Sequence, residues 1–449
     1  MKILSFTYVL SRSKIMEKLF RLKERGTDVR TEITAGITTF MTMAYILAVN
    51  PLLLSETGMD FSKVFSATAI SSLIATLVMG LLANLPFALS AGMGINVFFT
   101  YTVCLGMGYS WKWALTAIFI EGILFILMTF LNIRQAIVDS IPANLKKAIS
   151  SGIGFFIAYI GLKNAGIIIA DPQTVTALNP EWYKGQSGLA VLGLVITSVL
   201  LIRKVRGGLL LGIVLTTIIG IPLGITTYAG GSFVPTAPYF CEFAFSEIFS
   251  GSRALMDFLI IMLTFLFIDM FNTVGTLIGC VEKTNLLNED GSIPNVKEAL
   301  FADAIGTTAG AMLGTSTITT FVESATGVAE GARTGLSSVT VAALFGLSLF
   351  LAPLFGSIPG AATAPALIIV GVMLITPVTS INFSDLTEGI PAFLTIIFMI
   401  CASSVSDGMM FGILSFILCK LFSGKKNEIT PALWFVTALF IIMIIVGAL

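Results

Sequence analysis

The sequence predicts an all-α polytopic membrane protein of about fourteen spans, arranged as a seven-plus-seven inverted repeat. Three observations predict it. First, 56% of the 449 residues are hydrophobic and only 11% are charged, against about 25% charged in soluble domains. With a mean hydropathy of +0.98, the chain has too few charges to keep a soluble surface wet. Second, basic residues recur in alternate loops. Third, two apolar runs are interrupted at membrane depth, and they lie seven segments apart, an odd offset that inverts the second copy.

The spans follow from length, since crossing a bilayer as a helix takes about 20 apolar residues. On that basis segments 33–53, 64–84, 87–106, 112–131, 146–168, 187–203 and 207–226 read as spans 1–7. Segments 254–281, 299–313, 315–331, 334–355, 362–378, 389–403 and 406–421 read as spans 8–14. A further apolar segment, 430–448, is either a fifteenth crossing or an interfacial helix. Eight of the 25 basic residues precede residue 31, including Arg12, Lys14, Lys18 and Arg30. By the positive-inside rule this places the N-terminus in the cytoplasm. The apolar run Ile3 to Leu10 is followed by these charges and not by a small-residue cleavage site, so it is no signal peptide. Arg134, Lys146 and Lys147 follow span 4, Arg203, Lys204 and Arg206 span 6, Lys283 and Lys297 span 8, and Arg333 span 10. Lys420, Lys425 and Lys426 at the end of span 14 keep the alternation, whereas loops 171–186 and 227–252 are nearly free of Lys and Arg.

Composition also excludes chemistries. There is no histidine, which removes His-ligated zinc, Ser–His–Asp triads and imidazole proton carriers. Protons inside the membrane must ride on Asp or Glu. The five cysteines (Cys104, Cys241, Cys280, Cys401 and Cys419) form no C-x-x-C pair, so neither a metal site nor a disulfide framework is expected. No soluble domain and no phosphate-binding G-x-x-x-x-G-K-[ST] loop is present, which argues against ATP as energy source. An enzyme would need a metal cluster or a nucleophile with its base, and no cofactor is implied.

The two interruptions are Pro86–Asn96, where a proline and two glycines break an apolar run, and Gly314–Ser324, whose Thr/Ile/Phe/Val content favours an extended strand. Irregular backbone survives at membrane depth only inside protein or beside a watery cavity. Paired interruptions in two halves point to a transport site at the repeat interface. Two ordinary kinked helices are the alternative.

Ionisable groups inside spans cost about 2.5–3.5 kcal/mol each and are functional candidates by default. Glu323 stands where the second interruption hands over to a helix, beside unpaired N–H groups and the positive helix end. It reads either as a ligand carboxylate or as a helix N-cap. In span 8, Asp269, Asn272, Thr273 and Thr276 form a polar stripe. Asn272 offers one acceptor and two donors, suited to the edge of a planar heterocycle or to a bond between helices. Asp269 reads more as a structural pair, and Glu121 in span 4 as a bond to a neighbouring helix. Glu330 and Arg333, three apart, are expected to pair near the cytoplasmic end. Asn96 follows the first interruption as Glu323 follows the second.

The segments Gly26–Pro51 (GTDVRTEITAGITTFMTMAYILAVNP), Ala91–Asn96 (AGMGIN), Gly314–Ser324 (GTSTITTFVES) and Asp385–Ile396 (DLTEGIPAFLTI) resemble the adenine/guanine/hypoxanthine permease branch of the nucleobase–cation symporters. The resemblance runs from Met16 to nearly the end of the chain, and such permeases begin close to Met-Glu-Lys-Leu-Phe, which makes Met16 a candidate start. It implies a uracil-permease-like fold with short strands in half-spans 3 and 10. A cytoplasmic N-terminal segment (1–31) would precede a core domain of spans 1–4 (32–135) and 8–11 (253–356). Spans 5–7 (136–252) and 12–14 (357–422) would form a gate domain, followed by a hydrophobic helix (423–449). It further implies proton-coupled uptake of purine bases across the cell membrane by a homodimer, driven by the proton gradient, with no nucleic-acid partner. By position, the substrate glutamate falls on Glu323, with backbone amides around Phe321 and Val322 facing the base, and the span-3 asparagine falls on Asn96. The span-8 acid falls on Asn272, followed by Thr273 and Gly275, and this is a departure, because the family usually has Asp there. An Asn hydrogen-bonds a purine but takes up no proton. The expectation is retained binding with changed coupling, resting on Glu323 or Asp269. An anion carrier on the same fold, or a facilitator without coupling, is the alternative; an anion site calls for a basic residue near the half-helix ends, and none lies there.

Overall fold

Helix starts follow capping chemistry written in the sequence. The computed structural model describes residues 16–131, 142–228, 230, 232–249, 252–281, 295–402 and 404–448. Arg12, Lys14, Arg134 and Lys283 lie outside these residues, as does the run Ile3–Leu10. Asp28 accepts from the backbone N–H groups of Arg30 and Thr31 and opens Val29–Met43. Asp60 opens Phe61–Val78, Ser110 opens Trp111–Phe130, and Ser404 opens Val405–Phe422 in the same way. Most of the apolar segments read as spans coincide with helical elements, whereas 87–106 begins with the strand Leu89–Ala91 and 315–331 holds the strand Ile318–Thr320 and only the short helix Ser324–Ala329. Among the described residues, seven helices are long and apolar enough to cross a membrane: Val29–Ser55, Phe61–Ala83, Trp111–Phe130, Ala143–Asn164, Gly185–Ile202, Gly335–Gly356 and Gly360–Ser380. Shorter apolar helices include Met93–Gly106, Gly208–Gly220 and Leu386–Cys401. Residues 430–448 form the helix Pro431–Ala448.

Packing joins helices that are distant in sequence. Val296–Leu313 lies on Trp111–Phe130 and Phe61–Val78, and Gly335–Ser348 lies on Val29–Met43 and Phe61–Val78. Ala143–Asn164 lies on Gly360–Leu374 and Leu386–Cys401. Glycines allow close approaches here: a Cβ added to Gly154 would stand 2.8 Å from the Gly371 carbonyl, and one added to Gly371 would stand 2.6 Å from that of Gly154. Membrane helices, which gain no hydrophobic drive against lipid, associate through such small-residue seams.

Both interruptions are broken as expected, and they meet. β1 (Leu89–Ala91) is followed by Gly92 and the short helix Met93–Val97, which continues as a π-helix over Phe98–Gly106. Two further strands, β2 (Ile168–Asp171) and β3 (Val175–Leu178), form a hairpin in the loop after span 5. β4 (Ile318–Thr320) precedes the helix Ser324–Ala329. β1 and β4 pair antiparallel with Leu89 opposite Thr320, Ser90 opposite Thr319 and Ala91 opposite Ile318. Flanking bonds extend the ladder, from Gly92 N to Thr317 O (3.0 Å) and from Phe321 N to Ala88 O (2.9 Å). Side chains complete it: Ser324 accepts from Ala88 N, and Thr76 both accepts from Leu89 N and donates to Leu89 O. Unsatisfied backbone groups at this depth would cost several kcal/mol each, so two three-residue strands suffice to hold the half-helices end to end.

Candidate functional site

A cavity of about 110 Å³ opens where the two broken segments meet. One wall is built by Tyr45, Gly92–Gly94, Asn272, Thr276 and residues 319–323, and the opposite wall by Val370, Met373 and Leu374 of the helix Gly360–Leu374. The first wall carries hydroxyls, an amide and a carboxylate. The second is wholly apolar, and among the described residues no Lys or Arg lines the cavity.

Glu323 settles one alternative left open by the sequence. It is 8% exposed and precedes the helix Ser324–Ala329, but its side chain makes no capping hydrogen bond. Its Oε1 instead accepts from the Tyr45 hydroxyl at 2.8 Å. The carboxylate is therefore not consumed by the helix it precedes and lines the cavity. Val322 beside it is 45% exposed, whereas Phe321 is buried although it borders the cavity.

The expectation that the Phe321 amide faces a ligand is corrected. That N–H donates to Ala88 O as the last rung of the strand pair, because antiparallel pairing continues one residue beyond β4. The expected Glu330–Arg333 pair is also absent. The helix ends at Ala329, so the two residues lack the helical geometry that makes an i, i+3 pair meet. Arg333 donates through Nη1 to the carbonyls of Val328 and Ala332, while Glu330 pairs with Arg206 and accepts from Thr38.

The span-8 stripe divides within the helix Ser252–Val281. Asn272 and Thr276 reach the cavity, while Thr273 stands one layer behind. Its hydroxyl donates to Asp303 Oδ1 and lies 2.7 Å from Thr319 Oγ1. With its single proton directed at Asp303, Thr273 receives the proton of Thr319. Asp269, one turn earlier, is fully buried and does not line the cavity. Asn96 is also fully buried behind the wall, where its Oδ1 accepts from Ser316 Oγ. Glu121 accepts from Thr317 Oγ1 at 3.2 Å, a bond between span 4 and the approach to β4.

Two participants were missed. Tyr45 sits inside one of the motifs singled out above, and a hydroxyl in that apolar run was its signal. Asp303 is an intramembrane acid within 299–313, so the rule that selected Asp269 applies equally to it. Among the described residues no group of three or more His, Cys, Asp or Glu is placed to hold a metal ion.

The Permease family matches residues 30–411. The chain belongs to this family. It is a multi-pass membrane transporter and not an enzyme. Relatives in the same family include the adenine permease AdeP of Escherichia coli (strain K12), 38% identical over 431 residues that cover 96% of each chain. The guanine/hypoxanthine permease PbuO of Bacillus subtilis (strain 168) is 39% identical over 433 residues, covering 95% of this chain and all of that one. Among solved structures, the transmembrane domain of the cyanobacterial bicarbonate transporter BicA superposes with a TM-score of 0.65 at 16% identity, covering 84% of this permease and 97% of that domain. SLC26A9 gives 0.61 at 12% identity. At such identities the likeness concerns the fold alone.

Proposed function

We propose that this permease imports purine nucleobases as a secondary transporter, by proton symport and alternating access. The observation that carries the reading is the Glu323 carboxylate, uncommitted to helix capping and set in a small cavity with one polar and one apolar wall. A planar base fits such an asymmetric site: its N–H edge meets Glu323 and the Asn272 amide, and its apolar side rests against Val370, Met373 and Leu374. The names of AdeP and PbuO support adenine, guanine or hypoxanthine as the cargo.

In this reading the chain has fourteen spans in two inverted repeats, with its N-terminus in the cytoplasm. Spans 1–4 and 8–11 form the core domain and spans 5–7 and 12–14 the gate, in agreement with the two sets of packed helices. The polar wall then belongs to the core and the apolar wall to the gate, so relative motion of the two opens the cavity to each side in turn. Proton coupling rests on Glu323 or Asp269, because Asn272 takes up no proton, and the transporter works as a homodimer in the cell membrane. The bicarbonate transporter that shares the fold makes an anion carrier the competing reading, but among the described residues the lining offers no cation to hold one.

Uptake of labelled adenine, guanine and hypoxanthine into proteoliposomes with an imposed proton gradient tests this. Accumulation that collapses with an uncoupler supports it. Accumulation that survives the uncoupler contradicts symport, and no uptake of any base contradicts the cargo.

A further inference from the structure

The helix of span 1 tightens to a turn at Ala44 and Tyr45, between Val29–Met43 and Ile46–Ser55. Tyr45 lies there beside the junction of the two half-helices. The ring is 1% exposed, and its hydroxyl donates to Glu323 Oε1. A buried phenol must find such a partner, and a charge-assisted bond is about twice as strong as a neutral one.

This bond is one rung of a ladder. Thr42 Oγ1 packs 3.2 Å from Thr326 Oγ1, each hydroxyl donating to its own segment's backbone (Thr39 O and Glu323 O, both 2.7 Å), and Thr38 Oγ1 donates to Glu330 Oε2 at 2.8 Å. Positions 38, 42 and 45 thus meet 330, 326 and 323 in order, at helical spacing, so span 1 is fastened along the second half-helix turn by turn. Only the Tyr45 rung reaches the cavity.

We propose that Tyr45 is a positioning residue for the ligand carboxylate: by holding Oε1 of Glu323 from a second, fixed span, it presents the other oxygen to the N–H edge of the transported base. A glutamate side chain at a helix start has several rotamers open to it, and a ligand that must select one binds more weakly than a ligand that meets it already selected. Tyr45 touches the acid from outside its own segment, so its hold does not depend on the short helix Ser324–Ala329 staying rigid. The proposal rests on the purine reading above.

The test is equilibrium binding of labelled hypoxanthine, adenine and guanine to purified, full-length protein. Tyr45→Phe keeps the ring and removes the hydroxyl, and binding is expected to weaken about tenfold, the lower end for a lost bond to a charged group. In a Glu323→Ala background, Tyr45→Phe should add less than twofold, because nothing remains to be positioned. Thr42→Val breaks the neighbouring rung without touching Glu323 and should change binding less than twofold. Equal losses in Tyr45→Phe and Thr42→Val, additive losses in the double variant, or wild-type binding by Tyr45→Phe would each overturn the role. Absence of binding by the wild-type protein sinks the purine reading and this role with it. Wild-type binding with an unaffected Tyr45→Phe sinks this role alone.

Discussion

Gly92→Ala is the sharpest perturbation the geometry offers. Gly92 lies between β1 and the helix Met93–Val97, its N–H is bonded to Thr317 O, and it lines the cavity. A Cβ there would stand 2.7 Å from Thr319 Cγ2 and 3.1 Å from Ile95 Cδ1. Ile95 can give by rotating its terminal methyl. Thr319 cannot easily, because its backbone is held opposite Ser90 and its hydroxyl is bonded to Thr273. The methyl must therefore push β4 and the neighbouring Glu323 segment, at the cost of about 1–3 kcal/mol typical of overpacking. Taken out of binding, that is a loss of about five- to 150-fold in affinity; taken out of folding, it is a lower melting temperature. Measuring ligand-free melting and Kd for a purine base together captures both. Gly360→Ala is the control, since a Cβ there meets nothing within 4 Å, and it should leave both unchanged. Wild-type melting and Kd in Gly92→Ala would refute the close approach of the two strands' flanks.

The other predictions probe coupling, linkage and surface charge. Asn272→Asp restores a titratable group in the cavity wall, and uptake should keep its affinity within about tenfold while its pH profile changes; superimposable profiles would contradict the coupling reading. Glu56, just beyond the helix Ile46–Ser55, accepts from the Tyr101 hydroxyl at 2.8 Å. Although the residue is exposed, partial desolvation beside Tyr101 raises its carboxyl above the ordinary range, against the opposing pull of that bond and of Lys163. A raised value means that the folded protein keeps a proton which the unfolded chain releases first. Its contribution is thus most favourable below the ordinary carboxylate value of about 4.3 and is lost as pH rises through the folded one. Melting of Glu56→Gln should fall less steeply than wild type from pH 4 to 7, and parallel curves would count against this. Arg206 pairs with Glu330 but its side chain is 68% exposed. Arg206→Ala should cost under about 1 kcal/mol in chemical denaturation, because Thr38 still donates to Glu330; a loss above about 3 kcal/mol would show the pair to be structural.

Legibility followed the physics of each feature. The membrane class and its long apolar helices were legible because apolar length is a local property, and the broken segments because Pro86, the glycines and the β-branched run 315–320 oppose a helix locally. Glu323 was legible because an acid at a helix start inside a membrane is costly anywhere. Its partner was not: Tyr45 and Glu323 are 278 residues apart, and nothing near either residue encodes that the turn in span 1 meets the second half-helix. Thr273 and Asn272 show the same limit. Both lie on the polar stripe, yet which of two adjacent positions faces the cavity depends on the rotation of the helix against β4. The Phe321 amide failed as an expected donor because strand pairing runs one residue further than composition suggested.

The central claim is that the Glu323 carboxylate holds a purine base in this cavity. Binding of labelled hypoxanthine, adenine and guanine to purified wild-type protein and to Glu323→Ala, with ligand-free melting measured alongside, tests it most directly. Saturable binding of at least one base by the wild type is expected, and its loss by a hundredfold or more (about 2.7 kcal/mol) in a variant whose melting stays within a few degrees. Unchanged affinity in a folded Glu323→Ala protein would contradict it.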